Sequence, residues 1–125
     1  YFIDKCIIFS KHNLQSDEYN LYTKVYDIIS TYLPKPDLII YLYNNESKLL
    51  QNIAKRGREY EKDIAPDYLT NIQDGYMNYF KHYEKVPIVI VEAHNLDFVK
   101  NIEDYEQLKQ LLYQTYPPGI TRITY

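Results

Sequence analysis

Two short, unbroken apolar runs set the strongest limit on what this chain can fold into. Leu38-Ile39-Ile40-Tyr41-Leu42-Tyr43, led by Asp37, and Val86-Pro87-Ile88-Val89-Ile90-Val91 are too short for helices and show no apolar–polar alternation. A strand that is apolar on both faces has to be covered on both faces, which is the habit of parallel strands in α/β proteins. Pro87 stands near the beginning of its run, where a missing N–H is tolerated.

Helical periods surround these runs. Ser16 reads as an N-cap, with Asp17 and Glu18 complementing the dipole of the first turn. Tyr22, Val25, Tyr26, Ile29, Tyr32 and Leu33 recur at helical spacing until Pro34 and Pro36 end the helix. After the first run, Asn44 or Asn45 can cap a helix whose stripe is Leu49, Leu50, Ile53 and Ala54, weakened at Gly57. Pro66 suits the first turn of another, striped by Tyr68, Leu69, Ile72, Tyr76, Tyr79 and Phe80. A last helix is predicted over about 102–114, through Tyr105, Leu108, Leu111 and Leu112, stopped by Pro117-Pro118-Gly119. Residues 1–13, with Cys6-Ile7-Ile8-Phe9 between polar ends, fix no element type.

The resulting order is helix, strand, helix, helix, strand, helix. It predicts an α/β fold, an open parallel sheet with flanking helices, with residues 1–125 in a single domain. Ligands in such sheets sit at the carboxyl ends of the strands, here Tyr43-Asn44-Asn45 and Glu92-Ala93-His94-Asn95. A parallel pair is thin for independent stability. Tyr1-Phe2-Ile3-Asp4 also begins inside an apolar stretch without a leading turn, so more chain is expected upstream.

Composition removes several function classes. At 46% hydrophobic and 25% charged, the 125 residues are ordinary globular material. No apolar run approaches the roughly 18 residues of a membrane span, and no signal pattern opens the chain. The single cysteine, Cys6, cannot form an internal disulfide, and no Cys/His spacing suits a metal; a reducing cytoplasm is the expected compartment. A net charge of −3 without a basic stripe argues against nucleic-acid binding. The 16 tyrosines read as amphipathic rings at helix surfaces, not as a base-stacking platform.

Two of the three arginines nevertheless stand together in Lys55-Arg56-Gly57-Arg58-Glu59-Tyr60-Glu61. On a regular helix Arg56 and Arg58 would diverge. Gly57 relaxes the backbone between them, so both planar forks can turn toward one anion and grip phosphate oxygens bidentately. Such groups offset the charge that spreads over a migrating phosphoryl. Glu61 can accept a hydrogen bond from a sugar hydroxyl. The same residues also fit a solvated helix end with local Arg–Glu pairs, and spacing alone does not choose between the two.

The motifs in series resemble the deoxynucleoside kinase family. Pro36-Asp37-Leu38-Ile39-Ile40-Tyr41-Leu42 is similar to its core strand. Asn52-Ile53-Ala54-Lys55-Arg56-Gly57-Arg58-Glu59-Tyr60-Glu61 is similar to its lid. Ile64 and Asp67-Tyr68-Leu69 resemble the opening of its next helix, and Val86 to Val91 with Asn95-Leu96-Asp97-Phe98 its last core strand and base-side loop. Asp4-Lys5 and Phe9-Ser10-Lys11 resemble a further family segment, in a register open by one residue. The likeness covers almost the whole chain.

The resemblance implies the carboxyl-terminal portion of a P-loop kinase-like fold, with a lid at about 52–64. It implies that Arg56 and Arg58 contact the transferred phosphate and that Glu61 binds the deoxyribose 3′-hydroxyl. Asp4 is expected to help hold the nucleobase, Phe9 to stack on it, and Asn95, Leu96, Asp97 and Phe98 to approach the donor adenine. It also implies ATP as donor, Mg²⁺ held by residues upstream, a deoxynucleoside acceptor, and a homodimer formed through the helix at 16–33. Some bacterial relatives carry a pterin pyrophosphokinase domain ahead of the kinase.

The chain departs from the family pattern in three places. Asn52 stands where an arginine is common. The general-base carboxylate is expected just before Tyr1. No G-x-x-x-x-G-K-[ST] occurs, since Gly57, Gly75 and Gly119 are the only glycines, so the 125 residues are expected to be inactive alone. Two other readings stand beside this one: a nucleoside monophosphate kinase of the thymidylate type, and a non-catalytic remnant that only dimerises. His12, His82 and His94 are scattered, with His94 best placed to neighbour a nucleotide. Cys6 reads as a small buried hydrophobe, and no mechanism attaches to Arg122.

Overall fold

The computed structural model describes residues 3–125; Tyr1 and Phe2, at the abrupt start, lie outside the described residues. The two apolar runs become parallel neighbours. β1 (Ile39–Tyr43) pairs with β2 (Ile88–Glu92), in register from Ile39 opposite Ile88 to Tyr43 opposite Glu92.

The sheet has a third strand, which corrects the two-strand expectation. β3 (Ile120–Thr124) lies parallel along the other edge of β2, giving the order β1-β2-β3. Gly119, at φ 98°, turns the chain out of Pro117-Pro118, and its carbonyl accepts the Ile88 N–H at 2.9 Å. Ile120, Arg122 and Thr124 are exposed and Thr121 and Ile123 half-buried. Five residues of weak alternation directly after a helix stop give little warning of a strand; β3 exists because β2 offers it an edge.

The helices follow their caps. α1 (Lys5–Asn13) settles the type of the opening segment. α2 (Ser16–Ser30) is capped one residue earlier than expected, by Gln15, whose N–H donates to Glu18 Oε1 at 3.2 Å. For α3 (Glu46–Arg56), Asn45 is the cap: its Oδ1 accepts the Lys48 N–H at 2.8 Å. α3 ends at Gly57, which is left-handed at φ 70°. α4 (Pro66–Lys81) begins on Pro66. The predicted helix 102–114 is in fact α5 (Ile102–Gln110) followed by a tighter 3₁₀ turn over Leu111–Tyr113.

The two faces of the sheet bury different halves of the strand sequence. Ile39, Ile88 and Ile90 pack on Phe80 of α4, together with Tyr41, Tyr76 and Met77. Val89 and Val91 point the other way, to Leu111, with Ile40, Leu108 and Ile123 around them. Ile88, Val89, Ile90 and Val91 have no exposed surface, as a central strand covered on both sides should.

Candidate functional site

α3 springs from the carboxyl end of β1 and carries Lys55 and Arg56 in its last turn. Gly57 then reverses the backbone, and Glu59–Glu61 form a 3₁₀ turn whose Glu61 N–H donates to the Arg58 carbonyl at 3.1 Å. The reversal carries Glu61 back beside Arg56. Arg56 Nε donates to Glu61 Oε1 at 3.0 Å, and Nη2 bonds Oε2, a two-pronged ion pair. Arg58 Nη1 donates to the Tyr60 hydroxyl at 3.1 Å. Lys62 pairs with Glu59 at 2.7 Å. Of the two descriptions the sequence left open, the local Arg–Glu pair is present for Arg56; Arg58 has a neutral hydrogen-bond partner instead.

The loop after β2 approaches this segment. Asp97 Oδ1 accepts the N–H groups of Lys100 at 3.0 Å and Val99 at 3.1 Å, while the Asp97 N–H donates to Asp104 Oδ2 at 2.8 Å. The Asp97 carboxyl is held below the usual carboxylate range, first by the Lys100 hydrogen bond and further by the charge of Lys55. The residue before Arg56 and the Asn95–Phe98 loop therefore lie within electrostatic reach, on the carboxyl side of the sheet.

Two buried polar atoms mark the same rim. Asn44 Oδ1, one residue past β1, and His94 Nδ1, two past β2, are buried and have no hydrogen-bond partner among the described residues. They stand at the exits of neighbouring strands, where the Ala93 N–H donates to the Tyr43 carbonyl at 2.8 Å. The sequence offers Asn44 as a helix cap or as part of the ligand-side strand end; Asn45 takes the cap. The sequence assigns no role to Lys55 or Tyr60, because Tyr60 meets Arg58 only in the turn after Gly57 and Lys55 nears Asp97 only across the fold.

Asp4 and Phe9 are placed elsewhere. Asp4 occupies the N-cap of α1 without capping it; its two carboxylate oxygens accept the hydroxyls of Tyr26 on α2 and Tyr79 on α4. Its side chain is buried and lines a cavity of about 700 Å³ with Tyr26, Lys35, Tyr79, Tyr83 and Lys85. Lys35 and Lys85 precede β1 and β2, so this cavity opens at the amino side of the strands, and Arg56, Arg58 and Glu61 do not line it. Burial, and then the bond to Asp4, push the Tyr26 and Tyr79 phenols well above the ordinary range. Phe9 meets Tyr76 edge-on, centroids 6.2 Å apart, and carries the Lys5 ammonium 5.7 Å from its ring centre. The structure thus joins Arg56 to Glu61 and Arg58 to Tyr60 within the segment after α3, with Lys55 in electrostatic reach of Asp97, while Asp4 lines a cavity that these arginines and Glu61 do not.

Among the described residues no group of His, Cys, Asp and Glu could hold a metal ion, and no helix is long and apolar enough to cross a membrane.

Comparison with known proteins covers nearly the same span as the motifs. The sequence profile of the deoxynucleoside kinase family matches residues 3–115, leaving β3 outside the match. The chain is 33% identical over 112 residues to a deoxyguanosine kinase of Bacillus subtilis, covering 86% of this chain and 54% of that protein. It is 32% identical over 103 residues to a deoxyadenosine kinase of Dictyostelium discoideum, covering 82% and 40% respectively. A deoxyadenosine/deoxycytidine kinase of Bacillus subtilis is 24% identical over 100 residues. The chain spans about half the length of these curated relatives. The parallel sheet with flanking helices fits the carboxyl-terminal portion of a P-loop kinase-like fold. On the profile match and these identities, the chain belongs to the deoxynucleoside kinase family.

Proposed function

We propose that this chain supplies the lid, the sugar-binding carboxylate and the donor-base loop of a cytoplasmic salvage enzyme that uses ATP to phosphorylate the 5′-hydroxyl of deoxyribonucleosides. The observation that carries the reading is the chain reversal at Gly57 within a family-matched span. It gathers Arg56, Arg58 and Glu61 in one short segment, whose preceding Lys55 is in electrostatic reach of Asp97 in the loop after β2. Residues 52–64 form the lid. Arg56 and Arg58 neutralise the transferred phosphoryl, and their planar forks keep their charge through the reaction. Glu61 accepts the 3′-hydroxyl of the sugar. Asn95 to Phe98 flank the donor adenine, with Asp97 fixing the loop through its backbone contacts.

The phosphate-binding loop, the general base and the Mg²⁺ ligands belong to the half of the enzyme this chain does not span. Mg²⁺ supplies charge neutralisation at the donor phosphates when bound. The 125 residues alone do not turn over. α2 forms the homodimer surface: Leu21, Val25, Ile28 and Ile29 make an exposed apolar stripe at helical spacing, continued by Tyr32 in the turn that follows, at 86% exposure. Asp4 ties α1 to α2 and α4, a positioning task at a distance from the lid.

The test is Arg58→Ala in the full-length protein. Loss of one charge-stabilising donor is expected to lower kcat by about 100- to 1000-fold with little change in deoxynucleoside KM. Unchanged kcat removes Arg58 from the chemistry. Running the assay with deoxynucleosides and with their monophosphates as acceptors separates this reading from a monophosphate kinase.

A further inference from the structure

We propose that Glu61 acts as a built-in stand-in for phosphate on Arg56, so that the acceptor sugar and the donor polyphosphate bind cooperatively by exchanging this one ion pair. The inference rests on the roles given above to Arg56 and Glu61.

The two-pronged contact is the geometry with which a guanidinium grips a phosphate. The face of Arg56 best suited to the donor is therefore already taken by a carboxylate. The side-chain exposures are unequal, 48% for Arg56 and 12% for Glu61. The carboxylate is the sheltered partner, while the guanidinium keeps an open side from which an incoming anion can displace it. The pair lies only five positions apart in the chain, and it is held in one compact turn by Gly57 and by the Glu61 N–H to Arg58 and Ile64 N–H to Glu61 backbone bonds of 3.1 and 3.2 Å. The resting contact is thus built into the lid itself.

A sugar hydroxyl that engages Glu61 weakens its hold on Arg56 and leaves that charge for the polyphosphate. A polyphosphate that captures Arg56 leaves Glu61 free to accept the hydroxyl. By linkage each ligand must tighten the other by the same factor, expected to be about fivefold. The pair also keeps the empty lid from trapping free anions.

The experiment measures binding of inorganic tripolyphosphate to the full-length protein, with and without saturating deoxynucleoside. In the wild type, deoxynucleoside tightens tripolyphosphate binding about fivefold. Glu61→Gln, neutral and of the same shape, binds tripolyphosphate about fivefold tighter than wild type without nucleoside and loses the response to nucleoside. Glu59→Gln is the control for loss of any nearby negative charge; because Glu59 pairs with Lys62 it leaves both measurements near wild type. Glu61→Asp, which keeps the charge but shortens the reach, falls between, and serves if the Gln variant misfolds by circular dichroism. Unchanged or weaker tripolyphosphate binding in Glu61→Gln, equal tightening in Glu59→Gln, or coupling that survives in Glu61→Gln overturns the proposal. If Glu61→Gln tightens tripolyphosphate but saturating deoxynucleoside, its binding measured directly, leaves the wild type unaffected, the competition at Arg56 stands and the cooperativity falls; if neither deoxynucleosides nor their monophosphates bind the wild type at all, the deoxynucleoside reading falls instead.

Discussion

Replacing Asp4 with alanine removes the acceptor of two phenolic hydroxyls at once. Tyr26 and Tyr79 each donate to one oxygen of this buried carboxylate, and the three residues come from three different elements. A hydrogen bond to an ionised group contributes about 1.5–3 kcal/mol, so two give about 3–6 kcal/mol. Part is recovered, because both tyrosines line the 700 Å³ cavity and water can reach the orphaned hydroxyls. A net loss of about 2–4 kcal/mol is expected. At about 2–4 °C per kcal/mol for a full-length protein roughly twice this chain's size, Tm falls by about 4–16 °C. The assay is urea and thermal unfolding of the full-length protein at pH 7, completed by double-mutant cycles with Tyr26→Phe and Tyr79→Phe. Coupling of at least about 1 kcal/mol between Asp4 and each tyrosine is expected. An Asp4→Ala variant within about 0.5 kcal/mol of wild type, with additive cycles, refutes the tie between α1, α2 and α4. A loss of deoxynucleoside binding, with stability unchanged, would instead support the expected role of Asp4 at the nucleobase.

Three further outcomes follow from the same contacts. Ile28→Asp, on the exposed stripe of α2, is expected to convert a homodimer to monomer in light scattering with the fold retained, since Ile28 is 66% exposed; an unchanged mass places the interface elsewhere. Ile90→Ala, at a site with no exposed surface, is expected to cost about 2–5 kcal/mol in denaturant unfolding; a loss under about 1 kcal/mol would mean β2 is not the central strand. The phenols of Tyr26, Tyr41 and Tyr79 are raised, chiefly by burial, so their folded-state pKa values exceed the unfolded ones. Their contribution is complete below about pH 10 and is lost as pH rises toward the folded values, at no more than about 1.4 kcal/mol per pH unit for each. Solvent screening reduces this for Tyr26 and Tyr79 at the cavity wall. Stability measured from pH 8 to 11 should be level and then fall; a steady decline from pH 8 would point to other groups.

The sequence alone determined the two parallel strands, because unbroken apolar runs of this length call for cover; Ile88 to Val91 receive it on both faces, whereas the edge strand β1 is buried at Ile39 and leaves Leu42 exposed. It also determined most helix boundaries, since Pro66, Asn45 and Gly57 act through bonds to residues a few positions away. It brought Arg56, Arg58 and Glu61 to notice, and the ordered motifs carried the family. Tertiary structure alone decided which partners those side chains take. Arg56 meets Glu61 because a left-handed Gly57 folds the chain back, and Asp4 forgoes its helix cap because Tyr26 and Tyr79 arrive from 22 and 75 residues away. β3 is of the same kind: its few alternating residues form a strand because β2 presents a row of unpaired backbone groups. Local bonds are written in neighbouring residues, whereas contacts across the chain depend on what the rest of the fold brings within reach.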